Sequence, residues 1–400
     1  MPRHAGVSVG QHFQAHIAIE IVSRRISKTM KIAFICGSLE PGRDGVGDYT
    51  RRLAGELIRK GHDARIVAAH DKGLPTGSTF VEESQDDFGT KIETYRLDKG
   101  TKWSEREAKI LRIFDESTPD LVSLQFVPYS FHGKGFPFRF VSMIQTIAAE
   151  FSLQWQVMFH ELWLGIGTEA RLKEKLVGAI QKRIVSKIVR ALPHAVLHSN
   201  TELSCSILAE QGLQCERLPL FSNIPRERSA AGNRVEIGFD DLDLIAIHFG
   251  SYSRNIRGTL STVMRIHREA RSKGKRLALI SAGNSGRYGN DTVNALRDLI
   301  GEDRVKLFGK LEPRKISWLL TLADVGISKS SILNWQKSGS VLAMLEHGLN
   351  VYLQRTDRTS LLPLIGRATE TEDDLVLQAS ERSGTLSRVA DTMAQIWTDK

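Results

Sequence analysis

From Met30 onward, short apolar segments of strand length alternate with longer amphipathic ones, and this alternation constrains the chain more than anything else in it. Ile32–Cys36 predicts a first strand. Tyr49–Lys60 predicts a helix, because Tyr49, Leu53 and Leu57 recur at i, i+4 spacing. Gly61 stops that helix where a left-handed residue is wanted, and Ala64–Ala68 predicts the next strand. Leu121–Phe126, Gln156–Phe159 and Ala195–His198 predict further buried strands. Strands separated by helices imply a parallel sheet covered on both faces.

A second series of the same kind begins near Asp243. Strands are expected at Leu244–Phe249, Leu277–Ser281, Val305–Phe308, Val325–Ser328 and Val351–Leu353, and helices at Leu260–Lys273, Ile316–Ala323 and Val341–Glu346. The polar stretch Asn223–Asp240, with Pro225 and Gly232, reads as the connection. The expected division is 30–225, a linker at 226–240, a second α/β unit at 241–370, and a C-terminal segment 371–400. The helix of that last segment, around Leu386–Trp397, is expected to pack back on the first unit. Residues 1–29 lie before the first strand and are expected to be a disordered leader or a mis-assigned start. Their basic part (Arg24, Arg25, Lys28) lacks the continuous apolar core of a signal peptide.

Charge narrows the partners. The net charge of +9 favours anionic ones, phosphorylated ligands or acidic lipid surfaces, and no nucleic-acid-binding motif accompanies it. No stretch approaches the 18 apolar residues of a membrane-crossing helix. Cys36, Cys205 and Cys215 have no metal-ligand spacing, and their odd number suits a reducing, cytoplasmic setting. No metal site is expected.

Gly42-Arg43-Asp44-Gly45-Val46-Gly47-Asp48-Tyr49 joins the first strand to the first helix. Gly45, Val46 and Gly47 would let a ligand approach the backbone, with the helix start favouring an anion; a purely structural turn would read the same. A second anion site is expected at Lys337-Ser338-Gly339-Ser340, where a lysine, two hydroxyls and free N–H groups open the helix carrying Val341, Leu342 and Met344. His160 and Glu161 follow an apolar strand, where a histidine is placed to position a ligand or handle a proton near neutral pH; a packed strand-end histidine is the plainer alternative. Gln125, Pro128, Tyr129, His132, Gly133 and Lys134 are expected in a polar-aromatic loop. Leu172, Leu176, Ile180, Ile184, Ile188 and Leu192 form an i, i+4 stripe flanked by Lys173, Lys175, Lys182, Arg183, Lys187 and Arg190. The stripe suits burial against the sheet, or, over 171–192, peripheral docking on an anionic membrane at its inner face.

In succession, several motifs resemble the family 4 glycosyltransferases of the GT-B fold. They are Met30-Lys31-Ile32-Ala33-Phe34-Ile35, Asp44 to Tyr49, Leu53-Ala54-Gly55-Glu56-Leu57, Lys60-Gly61-His62-Asp63, Pro119-Asp120-Leu121-Val122, Phe159-His160-Glu161, His198-Ser199-Asn200, Phe249-Gly250-Ser251-Tyr252, Val305 to Gly309 and Ala323-Asp324-Val325. The resemblance implies two Rossmann-like domains facing a central cleft. It also implies transfer of a sugar from a UDP- or GDP-linked donor to a glycan or lipid-linked acceptor, as in polysaccharide biosynthesis, with retention and without a metal or other cofactor. Arg257, before Gly258, then matches the basic residue that contacts the diphosphate, and Arg254 shares that task. Gly250 and Ser251 match the glycine and the position after it, often basic in the family. His160 would lie near the donor sugar. The family's paired glutamates are missing: Trp335 and Ala343 stand in their places, and Glu346, one turn on, is the nearest substitute. That loss motivates a rival, a non-catalytic sugar-nucleotide- or partner-binding protein; a sugar-nucleotide epimerase of the same fold is a second.

Overall fold

The computed structural model describes residues 29–226, 233–284, 286–371, 373–379 and 386–398, so the leader expectation, Thr29 apart, and linker residues 227–232 fall outside the described residues. The strands are β1 Lys31–Cys36, β2 Asp63–Asp71, β3 Phe80–Asp87, β4 Thr90–Asp98, β5 Leu121–Phe126, β6 Gln154–Phe159, β7 Val196–Ser199 and β8 Glu216–Arg217. They form one sheet in the order β3-β4-β2-β1-β5-β6-β7-β8. A second sheet, ordered β11-β10-β9-β12-β13-β14, contains β9 Asp243–Phe249, β10 Arg276–Ala282, β11 Val305–Gly309, β12 Val325–Ile327, β13 Asn350–Tyr352 and β14 Val376–Leu377.

Pairings are parallel except β3–β4 and β13–β14. Alternate residues of each central strand enter opposite cores. In β1, Ala33 and Ile35 face one and Ile32, Phe34 and Cys36 the other; in β9, Ile245 and Ile247 oppose Leu244 and Ala246.

The β3–β4 hairpin has no counterpart in the apolar pattern, because its outer strand, Phe-Val-Glu-Glu-Ser-Gln-Asp-Asp, is mostly polar. Its signal is Phe88-Gly89: φ values of 50° and 89° make the two-residue turn that suits the right-handed twist of paired strands.

The first helix runs Gly45–Arg59, beginning four residues before the apolar pattern. Asp44 caps it by accepting from the Gly47 N–H at 2.8 Å. Gly45-Val46-Gly47 is therefore a helix turn rather than a loop. The preceding segment is held by buried Asp71, which accepts from Ser38 Oγ and the Leu39 N–H, each at 3.0 Å, and pairs with Arg96 at 2.8 Å. The helix Leu386–Thr398 packs on Gly45–Arg59: Val389, Ala390 and Met393 join the core of Leu53 and Leu57, and Lys60 pairs with Asp391 at 2.6 Å. No described helix is long and apolar enough to cross a membrane. Cys205 and Cys215, unrelated by spacing, lie as free thiols with Sγ atoms 3.5 Å apart.

Candidate functional site

Parallel sheets gather ligands where their strands end in carboxyl termini, and His160 stands at that edge, directly after β6, with its N–H donating to the Phe126 carbonyl. It is 5 % exposed. Its Nε2–H donates to Gln125 Oε1 at 2.8 Å. Gln125 Nε2 in turn donates to Ser123 Oγ at 2.6 Å, Ser123 Oγ to Gln156 Oε1 at 2.6 Å, and Gln156 Nε2 to His198 Nδ1 at 3.1 Å. These five side chains are all buried and cross the sheet from β6 to β7 through β5. Because an amide oxygen only accepts, the chain fixes the His160 tautomer and leaves Nδ1 as the ring nitrogen for a ligand. Burial pushes the His160 pKa down to about 3. The expected proton carrier near neutral pH is instead a neutral imidazole with a set orientation. Gln125, expected in a loop, is the buried residue of β5 that sets it.

His160 lines a cavity of about 310 Å³ with Gly45, Val46, Tyr49, Asn200, Asn223, Lys337 and Gly339, among others. Tyr49 stacks on Phe221 (ring centroids 4.7 Å) and meets His160 edge-on at 5.0 Å. Tyr49 Oη, Asn200 Oδ1 and Asn223 Oδ1 are buried without a partner among the described residues. Such atoms cost about 1–3 kcal/mol each if left unmet, so the cavity suits a ligand rich in hydroxyls. None of the three stands out in sequence, although Asn200 sits where a parallel strand's ligand edge would put it.

The opposite wall belongs to the second domain. The helix Gly339–Glu346 is capped by Ser338, whose Oγ accepts from the Val341 N–H and contacts Ser340 Oγ at 3.2 Å. Lys337 precedes it, exposed, with no protein partner for its ammonium among the described residues. His160, Glu161 and Lys337 also line an adjoining cavity of about 470 Å³, walled by Tyr129, Trp163, Gln181, Thr201, Leu333 and Arg358. The domains touch at its edge: the Thr168 N–H donates to Ser360 Oγ at 3.2 Å, and Glu169 accepts from the Ser360 N–H at 2.8 Å. Pro128 and Tyr129 reach this cavity; His132 is spent on its own loop, Nδ1 accepting from the Lys134 and Phe136 N–H groups.

Other expected residues lie elsewhere. Arg257 does not line a cavity with Lys337 and His160. It occupies the first turn of the helix Ile256–Ser272 and lines another cavity, of about 640 Å³, with Arg265, Arg268, Leu353 and Arg355, while Thr356, Asp357 and Arg358 line the cleft cavity. Arg254 is exposed and lines none of these three cavities. Glu346 is no stand-in for the missing glutamates: it borders neither cleft cavity, and its carboxylate accepts from the Ser222 N–H at 3.0 Å. Ala343 and Trp335, which carry no side-chain oxygen, are fully buried and packed at the core margin respectively. Gly47 is buried with Ser38 O only 2.4 Å from where a Cβ would be, so it serves close packing. Gly250, Ser251 and Ser340 line none of these cavities; Gly250 and Ser251 directly follow β9, and Ser340, next to Gly339, lies beside Gly250. Among the described residues no group of three His, Cys, Asp or Glu is placed to hold a metal ion.

No family model and no curated protein matches the sequence. Solved structures do. Sucrose-phosphate synthase from Thermosynechococcus elongatus superposes with a TM-score of 0.59 at 15% identity, over 92% of this chain and 98% of that one. The catalytic domain of starch synthase IV from Arabidopsis thaliana, bound to ADP and acarbose, gives 0.53 at 9% identity, over 93% and 98%. Anabaena HepE in complex with UDP and glucose gives 0.51 at 14%, over 92% and 95%. At such identities the likeness is one of fold, and the chain has the GT-B fold: two Rossmann-like α/β domains facing a central cleft.

Proposed function

We propose that this protein is a glycosyltransferase that moves a sugar from a nucleotide-diphosphate donor to a glycan or lipid-linked acceptor, with retention and without a metal. The observation that carries the proposal is one cavity walled by opposite charge-handling devices. Lys337 and the start of Gly339–Glu346 lie on one side, and neutral His160 with the unmet Tyr49, Asn200 and Asn223 oxygens on the other. As the glycosidic bond breaks, the diphosphate gains negative charge, which a lysine and helix N–H groups stabilise. The sugar ring lies over the neutral wall, its hydroxyls meeting the amide oxygens, while His160 Nδ1 accepts a hydrogen bond. The adjoining cavity extends from His160 and Glu161 and is offered to the acceptor. Two of the solved structures sharing the fold hold nucleoside diphosphates, ADP and UDP.

A lipid-linked acceptor suits one further feature. The Leu172–Ala191 stripe is buried at Ile184 and Ile188 but opens to solvent at Leu172 (74% exposed) and Leu176 (62%), beside Lys173 and Lys175. That end is proposed as a peripheral contact with anionic lipid at the cytoplasmic membrane face.

The test is a panel of UDP-, GDP- and ADP-sugars followed by NMR for donor hydrolysis and transfer. Turnover that falls on the order of 10²-fold in Lys337→Ala supports the assignment; equal turnover in that variant refutes it. The lost glutamate pair favours a second reading, a protein that binds sugar nucleotides without turning them over. Binding without turnover across the panel would select it.

A further inference from the structure

The carboxyl ends of β9, β10 and β11 form a shelf almost without side chains. Gly250 (φ +111°) donates its N–H to Ala282 O at 2.8 Å, and Gly283 (φ +100°) donates to Gly309 O at 2.7 Å. A Cβ on Gly283 would lie 3.1 Å from Gly250 N, and one on Gly286 3.1 Å from Ser251 Cβ. Only glycine fits such positions, and the backbone is left open to close approach.

A cation reaches this shelf. Lys329, two residues past β12, is exposed, and its Nζ donates to Ser251 Oγ at 2.6 Å. No carboxylate pairs with it among the described residues. Ser340 Oγ, in the first turn of Gly339–Glu346, lies 3.8 Å from where a Gly250 Cβ would be. Beneath, buried His248 stacks on Tyr252 at 3.8 Å, its Nδ1 without a partner among the described residues. Ammonium, two hydroxyls, a helix start and bare backbone thus converge, with no carboxylate paired to Lys329 among the described residues. An exposed lysine–serine contact stabilises a fold little, which leaves the convergence without a structural purpose.

We propose that Lys329 is a phosphate-binding cation of the donor site, occupying from β12 the place that Ser251 leaves uncharged, with Lys337 serving the other flank of the same helix start. The proposal rests on the nucleotide-sugar reading and adds a residue to it. Lys329 holds a diphosphate oxygen by a charge-assisted hydrogen bond, and Ser251 keeps the ammonium aimed at the shelf.

Calorimetric titration of UDP, GDP and ADP tests it, using the full chain, Lys329→Met, and the double variant Lys329→Ser with Ser251→Lys. Lys329→Met is expected to bind the preferred diphosphate about 10- to 100-fold more weakly, with an unchanged ligand-free melting temperature, and the double variant to recover most of the loss. Wild-type affinity in Lys329→Met, or no recovery in the double variant, overturns the proposal while leaving the nucleotide-sugar reading intact. A wild-type chain that binds none of the three overturns both.

Discussion

Replacing Gln125 by leucine tests what holds His160. Gln125 is 1% exposed, and the change deletes the acceptor 2.8 Å from His160 Nε2 and the donor 2.6 Å from Ser123 Oγ. Leucine fills similar space, so little cavity results. His160 loses its acceptor and Ser123 Oγ, which keeps Gln156, loses one of its two partners, at about 1–3 kcal/mol each. His160 borders a cavity and can turn toward it, so the expected total sits near the lower end, about 2–3 kcal/mol. Urea unfolding reads the loss, followed on the first transition because the chain has two domains. Histidine ¹⁵N NMR reads the second effect: the wild type shows the Nε2–H tautomer at His160, and Gln125→Leu a mixture. Gln125→Glu changes the electrostatics instead. A carboxylate beside the ring should raise the His160 pKa from about 3 by about 1–3 units. A leucine variant within about 0.5 kcal/mol of wild type, with its tautomer intact, would refute the claim that this chain orients the imidazole.

Three further predictions follow from geometry. Burial holds His160 and His248 near pKa 3 and His198 near 4. These folded-state values lie below the ordinary 6.5, so the unfolded chain takes up the extra protons and stability falls as pH drops from about 6.5 toward 4. Each histidine should add about 1.4 kcal/mol per pH unit, and unfolding free energies measured at pH 6.5, 5.5 and 4.5 would show it. Gly178→Ala should destabilise by about 1–3 kcal/mol despite alanine's better helix propensity, because its Cβ would sit 1.9 Å from Leu164 O; thermal or urea unfolding tests this. Leu172→Glu with Leu176→Glu should leave stability within about 0.5 kcal/mol per site, since both are exposed. It should also abolish co-sedimentation with phosphatidylserine vesicles, and binding that the pair leaves unaltered would exclude that end of the helix.

The GT-B architecture was legible because the buried strands are predominantly apolar and the helices carry i, i+4 stripes, as in β1 and Gly45–Arg59. The β3–β4 hairpin escaped because a polar edge strand has no such run. At the site, sequence order marked residues that end strands or open helices: His160, Lys337 and Gly339 meet in one cavity. Side-chain direction was less legible. Arg257 sits at a helix start and lines a different cavity from Lys337 and His160, and Glu346 turns to Ser222. Gln125 and Lys329 gave no periodic signal, because their importance comes from partners 35 and 78 residues away. The Cys205–Cys215 approach likewise depends on a turn that spacing alone does not reveal.

The donor diphosphate is proposed to lie across the cleft from His160. A crystal structure with the best-binding nucleoside diphosphate tests it directly. Phosphate oxygens are expected at Lys337 and the N–H groups opening Gly339–Glu346, with His160 on the facing wall. Density for the diphosphate in the arginine-lined cavity of Arg257, Arg265 and Arg268, with the cleft left to solvent, would contradict it.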